Sequence, residues 1–413
     1  MVFNMYMFRK NQKNSGGKIT MSKILKKPLL LLAICMLFAL AACSGNSSDT
    51  ASKGEGDSSK DGGQASGEAV QAKVGVISYI TGPGAAYGEA ITNGFKLALE
   101  EINEKGEVNI QLVTEDSAGK QEQALSAAQK LMSDDNIVAL LGPTLSTEMN
   151  VVGPEADLNG IPIIGTSTTA EGIPQIGDYV FRNSIPEALA IPASIGKAVE
   201  KFDAKKVAIL YGNDDVFTKS GFDTMKSTAE KMGLEILTIE TFQKGQSDYN
   251  AQLTKIKGLN PDLILCSALY NEGAVIMDQA RKMGLDAPFV GGNGFNSPQV
   301  IEIAGDASDG LIVATPWFGE KEDPQVQEFN QKYEAAYNMK PDQFAAQAYD
   351  ALYILAEALK NAGEADRDKL RDALAEIKDL DGILGNFSFD KDGDVVMDPT
   401  VLIIKDGKFQ LFE

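Results

Sequence analysis

Two short runs in this 413-residue chain concentrate groups able to hold an anion: Gly142-Pro143-Thr144-Leu145-Ser146-Thr147 and Gly165-Thr166-Ser167-Thr168-Thr169. Each offers small hydroxyl side chains and backbone N–H groups, and the first opens directly into a helical stretch beginning near Glu148. Such donors, backed by a helix N-terminus, make charge-assisted hydrogen bonds to a single anion. Neither run contains Lys or Arg, which suits a singly charged carboxylate better than a phosphate. One run alone would read as helix capping. Two of them, at neighbouring strand ends, read as a site.

Other chemistries find little support. The chain has no histidine, which removes histidine general bases, histidine metal ligands and Ser-His or Cys-His nucleophile pairs. The run Gly82-Pro83-Gly84-Ala85-Ala86-Tyr87-Gly88 has the position of a dinucleotide fingerprint, between a strand and a helix. Its spacing fails, because Tyr87 stands where the third glycine is needed and Pro83 lacks the N–H that would face pyrophosphate. Tyr87 lends an aromatic wall to the crevice or simply packs its loop. The run Asp390-Lys391-Asp392-Gly393-Asp394 lacks the glycine placement and closing glutamate of a calcium loop, and a β-turn is expected there. No metal, cofactor or enzymatic activity is expected.

The elements that must position the two runs alternate strictly. Lys73 to Ile77 is a buried strand, and Glu89 to Lys105 sets Ile91, Phe95, Leu99 and Ile102 on one helical face before Gly106 stops it. Strand runs recur at 109–114, 138–141, 162–164, 207–211, 235–241, 263–266, 289–291 and 311–314. Helical periods lie between them at 121–133, 148–159, 187–202, 219–232, 249–257 and 274–283. Such βα units build parallel sheets covered by helices on both faces, with ligands beyond the carboxyl ends of the strands. About ten strands exceed one ordinary open sheet, and a Pro-marked segment at Ile185-Pro186 and Ile191-Pro192 separates two similar sets, so two Rossmann-like lobes are expected. After Trp317 the pattern turns helical (326–337, 342–362, 366–377) and closes with strands at 385–389, 400–404 and 409–412.

The chain's start carries an export address. Lys23, Lys26 and Lys27 precede the apolar stretch Leu29 to Leu40, which is too short to span a bilayer permanently, and Leu40-Ala41-Ala42-Cys43 closes it. With Cys43 directly after the cut, the segment resembles a bacterial lipoprotein signal. That resemblance implies lipidation of Cys43, a tether to the extracytoplasmic face of the membrane, and removal of 1–42, with Met21 the natural start. Residues 44–69 are a flexible Ser/Gly/Asp leash. Losing the seven basic side chains of 1–42 takes the formal charge from −20 to −27, which repels phosphate backbones and makes a nucleic-acid partner unexpected. Cys266 is then the one cysteine left, so the fold must hold by its core, without an internal disulfide.

From Ala72 onward the chain also resembles the type I periplasmic solute-binding proteins of branched-chain amino acid importers. The resemblance rests on Ile80-Thr81-Gly82-Pro83 with Tyr87-Gly88 and Glu101-Ile102-Asn103, and on Leu141-Gly142-Pro143 with Ser146. It continues through Gly160-Ile161-Pro162, Ser167-Thr168-Thr169-Ala170, Tyr179-Val180-Phe181-Arg182, and Gln279-Ala280-Arg281 ahead of Gly284-Leu285. It implies two lobes joined by three crossovers and closing on a ligand, with 70–187 and 318–384 in one lobe and 188–317 and 385–413 in the other. Ser146 and Thr169 would hold a ligand carboxylate, while the Ser167 carbonyl and Thr169 hydroxyl would accept from its ammonium. Tyr270, with Leu269 the strictly aligned alternative, would supply an aromatic wall. Phe217 and Trp317-Phe318 would shape the side-chain pocket or serve packing alone.

At Asn293 the chain departs from the pattern, because leucine-binding relatives keep a glutamate there to neutralise the ammonium. A buried ammonium without a counter-charge is costly, so another acid must substitute, with Asp116, Asp214 and Asp215 in strand-end loops as candidates, or the ligand lacks the amine. The family's disulfide is also missing. The reading is a monomeric, tethered solute receptor of an ABC importer, partnered by permease subunits and binding a small carboxylate, foremost an aliphatic amino acid. Its alternatives are an amine-free acid (an aromatic carboxylate or keto acid) and a ligand-sensing receptor module.

Overall fold

A computed structural model describes residues 69–413. The export signal, Cys43 and all but the last residue of the leash lie outside the described residues. The chain first lays down β1 (Val70–Ser78), α1 (Ala85–Lys105), β2 (Val108–Asp116), α2 (Gln121–Met132), β3 (Ile137–Leu141), α3 (Ser146–Leu158), β4 (Ile163–Gly165) and β5 (Val180–Arg182). These strands form one parallel sheet in the order β2-β1-β3-β4-β5.

It then crosses into a second set: α4 (Glu187–Phe202), β6 (Lys206–Gly212), α5 (Val216–Lys231), β7 (Glu235–Phe242), α6 (Asn250–Leu259), β8 (Leu263–Ser267), α7 (Tyr270–Lys282), β9 (Phe289–Gly291), α8 (Gln299–Ala304) and β10 (Ile312–Thr315). A second crossover leads to α9 (Pro324–Tyr337), α10 (Gln343–Ala362), α11 (Arg367–Ala375) and the small antiparallel pair β11 (Leu380–Gly382) and β12 (Gly385–Phe387). The third returns to β13 (Thr400–Lys405) and β14 (Lys408–Leu411), which complete a seven-stranded sheet in the order β14-β13-β10-β9-β8-β6-β7. The expected two-lobed α/β architecture with three crossovers is present.

The expectation that the chain rejoins the second lobe at Gly385 is not met. β12 pairs with β11, and Phe389 packs at a tilt against Phe181 of β5 with ring centroids 5.1 Å apart. The Arg182 N–H donates to the Gly393 carbonyl at 3.1 Å. Residues up to Val395 therefore belong with the first sheet, and the third crossover falls between Val395 and Thr400. Strand-like periodicity cannot say which sheet a short strand joins.

Each lobe's sheet is sealed on both faces, as parallel sheets require. In β1, Val74, Val76, Ile77 and Ser78 are fully buried, and in β8 so is every residue from Leu263 to Ser267, including Cys266. α1 and α10 cover one face of the first sheet together and approach closely at Gly94, where a Cβ would lie 2.2 Å from the Ala345 carbonyl oxygen. That spacing is possible only for glycine. Helix ends follow local rules: α1 stops at Gly106 in the left-handed region, and Asp342 caps α10 by accepting from the Ala345 N–H at 3.0 Å.

Candidate functional site

The carboxyl ends of β3 and β4 carry the two hydroxyl runs to the gap between the lobes. After β3 the chain turns at Gly142 (φ 93°), where a Cβ would stand 2.1 Å from the Ile77 carbonyl oxygen. The turn leads into α3, whose first helical residue is Ser146. Amides in a helix's first turn have no carbonyl behind them, so the N–H groups of Ser146 and Thr147 point outward from the helix start.

The two runs are stitched to each other. The Ser146 Oγ accepts the Ala170 N–H at 3.1 Å, and the Ser167 hydroxyl donates to the Thr144 carbonyl at 2.5 Å. These bonds assign the protons. Ser146 keeps its own hydroxyl proton to donate elsewhere, whereas Ser167 has spent its proton and retains backbone groups for a ligand. Arg182, 2 % exposed, fixes the second run from behind. Its Nη1 donates to the carbonyls of Thr168 (3.1 Å) and Ala170 (2.6 Å), and its Nε and Nη2 grip Asp394 at 2.7 and 2.6 Å.

Facing these runs, the second lobe presents Phe217 near the start of α5, Leu269 at the start of α7, and Asn293 with Gly294 after β9. With Tyr87, Ser146, Ser167 and Phe344, they line the interlobe cavity. Among the lining residues there is no Lys or Arg. The space left is about 20 Å³, roughly one water's worth, so the lobes stand closed on each other.

Several contacts hold that closure. Tyr87 of α1 donates its hydroxyl to the Gly294 carbonyl at 2.5 Å and accepts the Tyr270 N–H at 2.9 Å. Thr147 donates to Asp215 at 2.6 Å, and the Tyr270 hydroxyl donates to the Pro83 carbonyl at 2.7 Å. Tyr87→Phe removes two interlobe hydrogen bonds and is expected to disfavour closure by about 1–2 kcal/mol. That raises a ligand's Kd roughly 5- to 30-fold by calorimetry. Unchanged affinity would show that Tyr87 serves packing alone.

Sequence-expected residues divide accordingly. Ser146, Ser167, Tyr87, Phe217 and Asn293 come together in the lining. Thr169 is not in the lining; it is fully buried and donates to Glu187 at 3.3 Å. At the start of α7 the lining residue is Leu269; Tyr270 packs edge-on against Tyr87, ring centroids 4.7 Å apart. Trp317 is elsewhere: with Phe318 and Tyr333 it lines a separate cavity of about 510 Å³, where its ring packs edge-on against Phe329 of α9 with centroids 5.6 Å apart.

The three aspartates offered as substitute acids are engaged in other work. Asp116 accepts from the Ile80 and Ala118 N–H groups at 3.0 and 2.8 Å. Asp214 accepts the Lys244 N–H at 3.0 Å, and Asp215 caps α5 through the Thr218 N–H at 3.0 Å.

The acid nearest the expected amine position is one that sequence reasoning missed. Glu187, the first residue of α4, is fully buried. Its Oε1 accepts the Asn293 N–H at 2.8 Å and the Thr169 hydroxyl at 3.3 Å, while Oε2 has no partner. Burial pushes its carboxyl up to about 7. An acid in a helix's first turn ordinarily signals only favourable dipole placement, so the sole clue was its position at the expected crossover. Glu148 is likewise pushed up to about 7 by burial and accepts the Leu145 N–H at 3.0 Å, shaping the first run. Phe344, also missed, sits on α10 among Ala and Leu, where an aromatic reads as core.

A family model described as periplasmic binding protein matches residues 71–408. The leucine-, isoleucine-, valine-, threonine- and alanine-binding protein of Pseudomonas aeruginosa is 28% identical over 327 residues, covering 78% of this chain and 87% of that protein. Among solved structures, the branched-chain amino acid transporter substrate-binding protein LivJ of Streptococcus pneumoniae, in complex with isoleucine, is 32% identical with a TM-score of 0.77. The match covers 82% of this chain and 98% of that one. The leucine-binding protein LivK of Thermotoga maritima is 26% identical with a TM-score of 0.78, covering 82% and 97%. Among the described residues no helix is long and apolar enough to cross a membrane. With the family model matching residues 71–408, nearly the whole described length, this chain belongs to the periplasmic binding protein family, whose members are exported solute receptors and not enzymes.

Proposed function

We propose that the protein is the solute receptor of an ABC importer, tethered outside the cytoplasmic membrane through a lipidated Cys43. It works as a monomer that delivers a small carboxylate-bearing ligand, an aliphatic amino acid, to permease subunits. One observation carries the ligand class. Ser146, which opens α3 and has its hydroxyl proton unspent, lines a cavity that no basic side chain lines. Uncharged donors of this kind match a single carboxylate. Phe217, Leu269 and Phe344 offer an apolar wall for an aliphatic side chain.

The ammonium would donate to the Thr169 Oγ, whose own proton goes to Glu187. The counter-charge therefore stands one hydroxyl away, and the neutral Asn293 is tolerated. Asn293 also favours a second reading, an amine-free acid, for which no counter-charge is needed.

Thermal-shift screening of the purified protein against amino acids, keto acids and aromatic carboxylates tests both. A true ligand at a hundred times its Kd adds roughly 2.7 kcal/mol of stability. If only amine-free acids raise Tm, the amino-acid assignment is lost and the receptor reading stands; if no carboxylate does, both are lost. Ser146→Ala should weaken the bound carboxylate by about 1–3 kcal/mol in calorimetry. Wild-type affinity in that variant would remove Ser146 from the site.

A further inference from the structure

A chain of buried hydrogen bonds runs from the second crossover to the ligand cavity. The Trp317 N–H donates to the Thr315 Oγ at 3.0 Å. The Thr315 hydroxyl donates to Gln343 Oε1 at 2.6 Å, and Gln343 Nε2 donates to Asn293 Oδ1. Thr315 and Gln343 are each 2 % exposed and Asn293 7 %, so these bonds are largely shielded from bulk water, although Thr315 and Gln343 also border the cavity beside Trp317. A backbone N–H can only donate. That N–H takes one lone pair of the Thr315 oxygen, the Thr315 proton goes to Gln343 at the shorter of its two acceptor distances, and the chain runs in that sense to Asn293, which has given its carbonyl oxygen to Gln343. What Asn293 has left for the cavity it lines is its Nδ2–H, a donor.

The reverse sense is available at one point only. The Thr315 hydroxyl also lies 3.2 Å from the Trp317 carbonyl. Were its proton to swing there, Gln343 and Asn293 would both have to turn over before Asn293 could offer an acceptor.

We propose that Thr315 and Gln343 are specificity-determining positioning residues that hold Asn293 as a donor, so that the site takes 2-oxo acids alongside amino acids of the same carbon skeleton. The proposal rests on the carboxylate-receptor reading above and names a second substrate class for it. Asn293 stands at the Thr169 end of the site, since its own N–H shares Glu187 Oε1 with the Thr169 hydroxyl. The ligand group it meets is therefore the substituent on the carbon next to the carboxylate. A keto oxygen there accepts from Nδ2–H. An ammonium cannot, and is held from the Thr169 side.

The test compares leucine with its 2-oxo acid, 4-methyl-2-oxopentanoate, by calorimetry on the purified protein and two uncharged variants. In the wild type the two ligands are expected to bind within about tenfold of each other. Thr315→Val removes the hydroxyl that sets the sense of the chain, and Gln343→Met removes both amide atoms. In either variant Asn293 is free to turn, and the ratio of affinities should move toward leucine by more than about threefold. A residue that only supports the fold would weaken both ligands together.

A ratio that stays within threefold in the folded variants overturns the proposal, as does a wild-type protein that binds leucine and rejects the 2-oxo acid more than a hundredfold. Should neither ligand bind the wild type, the proposal falls, while the carboxylate reading is lost only if the wider thermal-shift screen also finds no carboxylate ligand. Either variant suffices if the other does not fold.

Discussion

Arg182→Met is expected to destabilise the fold by about 3–5 kcal/mol, the usual result of breaking a buried ion pair from one side. The guanidinium is almost wholly enclosed, with side-chain exposure of 2 % against 17 % for Asp394. It makes two contacts to the carboxylate and two to the carbonyls of Thr168 and Ala170. Methionine fills much of the volume but leaves Asp394 unpaired and both carbonyls without their donor. These carbonyls belong to the loop whose Ala170 N–H orients Ser146, so ligand affinity should fall with stability. Urea denaturation checks the first effect and calorimetry the second. Replacing both partners, as in Arg182→Met with Asp394→Leu, should recover part of the stability because no uncompensated charge remains. A loss below about 1 kcal/mol in the single variant would mean that the turn at 390–394 is not held through this pair.

The second large effect is on pH dependence, through Glu187. Its folded-state pKa of about 7 lies above the ordinary 4.5 because burial penalises the charged form. The folded protein therefore holds this proton more tightly than the unfolded chain does. Glu187's contribution to stability is complete below about pH 4.5 and is lost as the pH rises through about 7, a swing on the order of 3 kcal/mol. Glu148 and Asp350 are raised to about 7 by burial as well, so the protein should be more stable at pH 5.5 than at pH 8.

An ammonium ligand reverses the sign for Glu187 alone, since it favours the carboxylate. Its Kd should rise about tenfold on going from pH 8 to pH 6, with proton release on binding near neutrality. Glu187→Gln should flatten that dependence and weaken an amino acid by about 1–3 kcal/mol, while leaving a 2-oxo acid nearly unaffected. An amino-acid affinity independent of pH in the wild type would mean that Glu187 is not the counter-charge.

Much of this was legible in the sequence because both the fold and the two hydroxyl runs are local patterns. Alternating βα units require parallel sheets, and Ser146 and Ser167 follow strands within two contiguous hydroxyl runs. Helix starts were less visible. α3 begins at Ser146 against an expected Glu148, α5 at Val216 against Lys219, and α7 at Tyr270 against Ala274, because first turns are amphipathic only in part and apolar periodicity begins after them. β5, with three residues, carries too little pattern to be seen, yet it holds Arg182.

The remaining features depend on contacts between distant segments. Glu187 meets Asn293 across 106 residues and Gln343 meets Asn293 across 50, and no spacing rule encodes either pairing. Trp317 and Leu269 show the same limit in reverse. Both follow strands of the second lobe, but only Leu269 turns toward Ser146.

Under the proposed function, the Ser146 and Ser167 loops cradle a carboxylate between the lobes. A crystal structure of the protein with whichever acid raises its Tm most is the direct test. One carboxylate oxygen is expected about 2.7–3.0 Å from the Ser146 Oγ and the α3 amides, with Glu187 and Asn293 beside the adjoining carbon's substituent. A ligand seated elsewhere, such as the cavity beside Trp317, with the two loops facing bulk water, would contradict it.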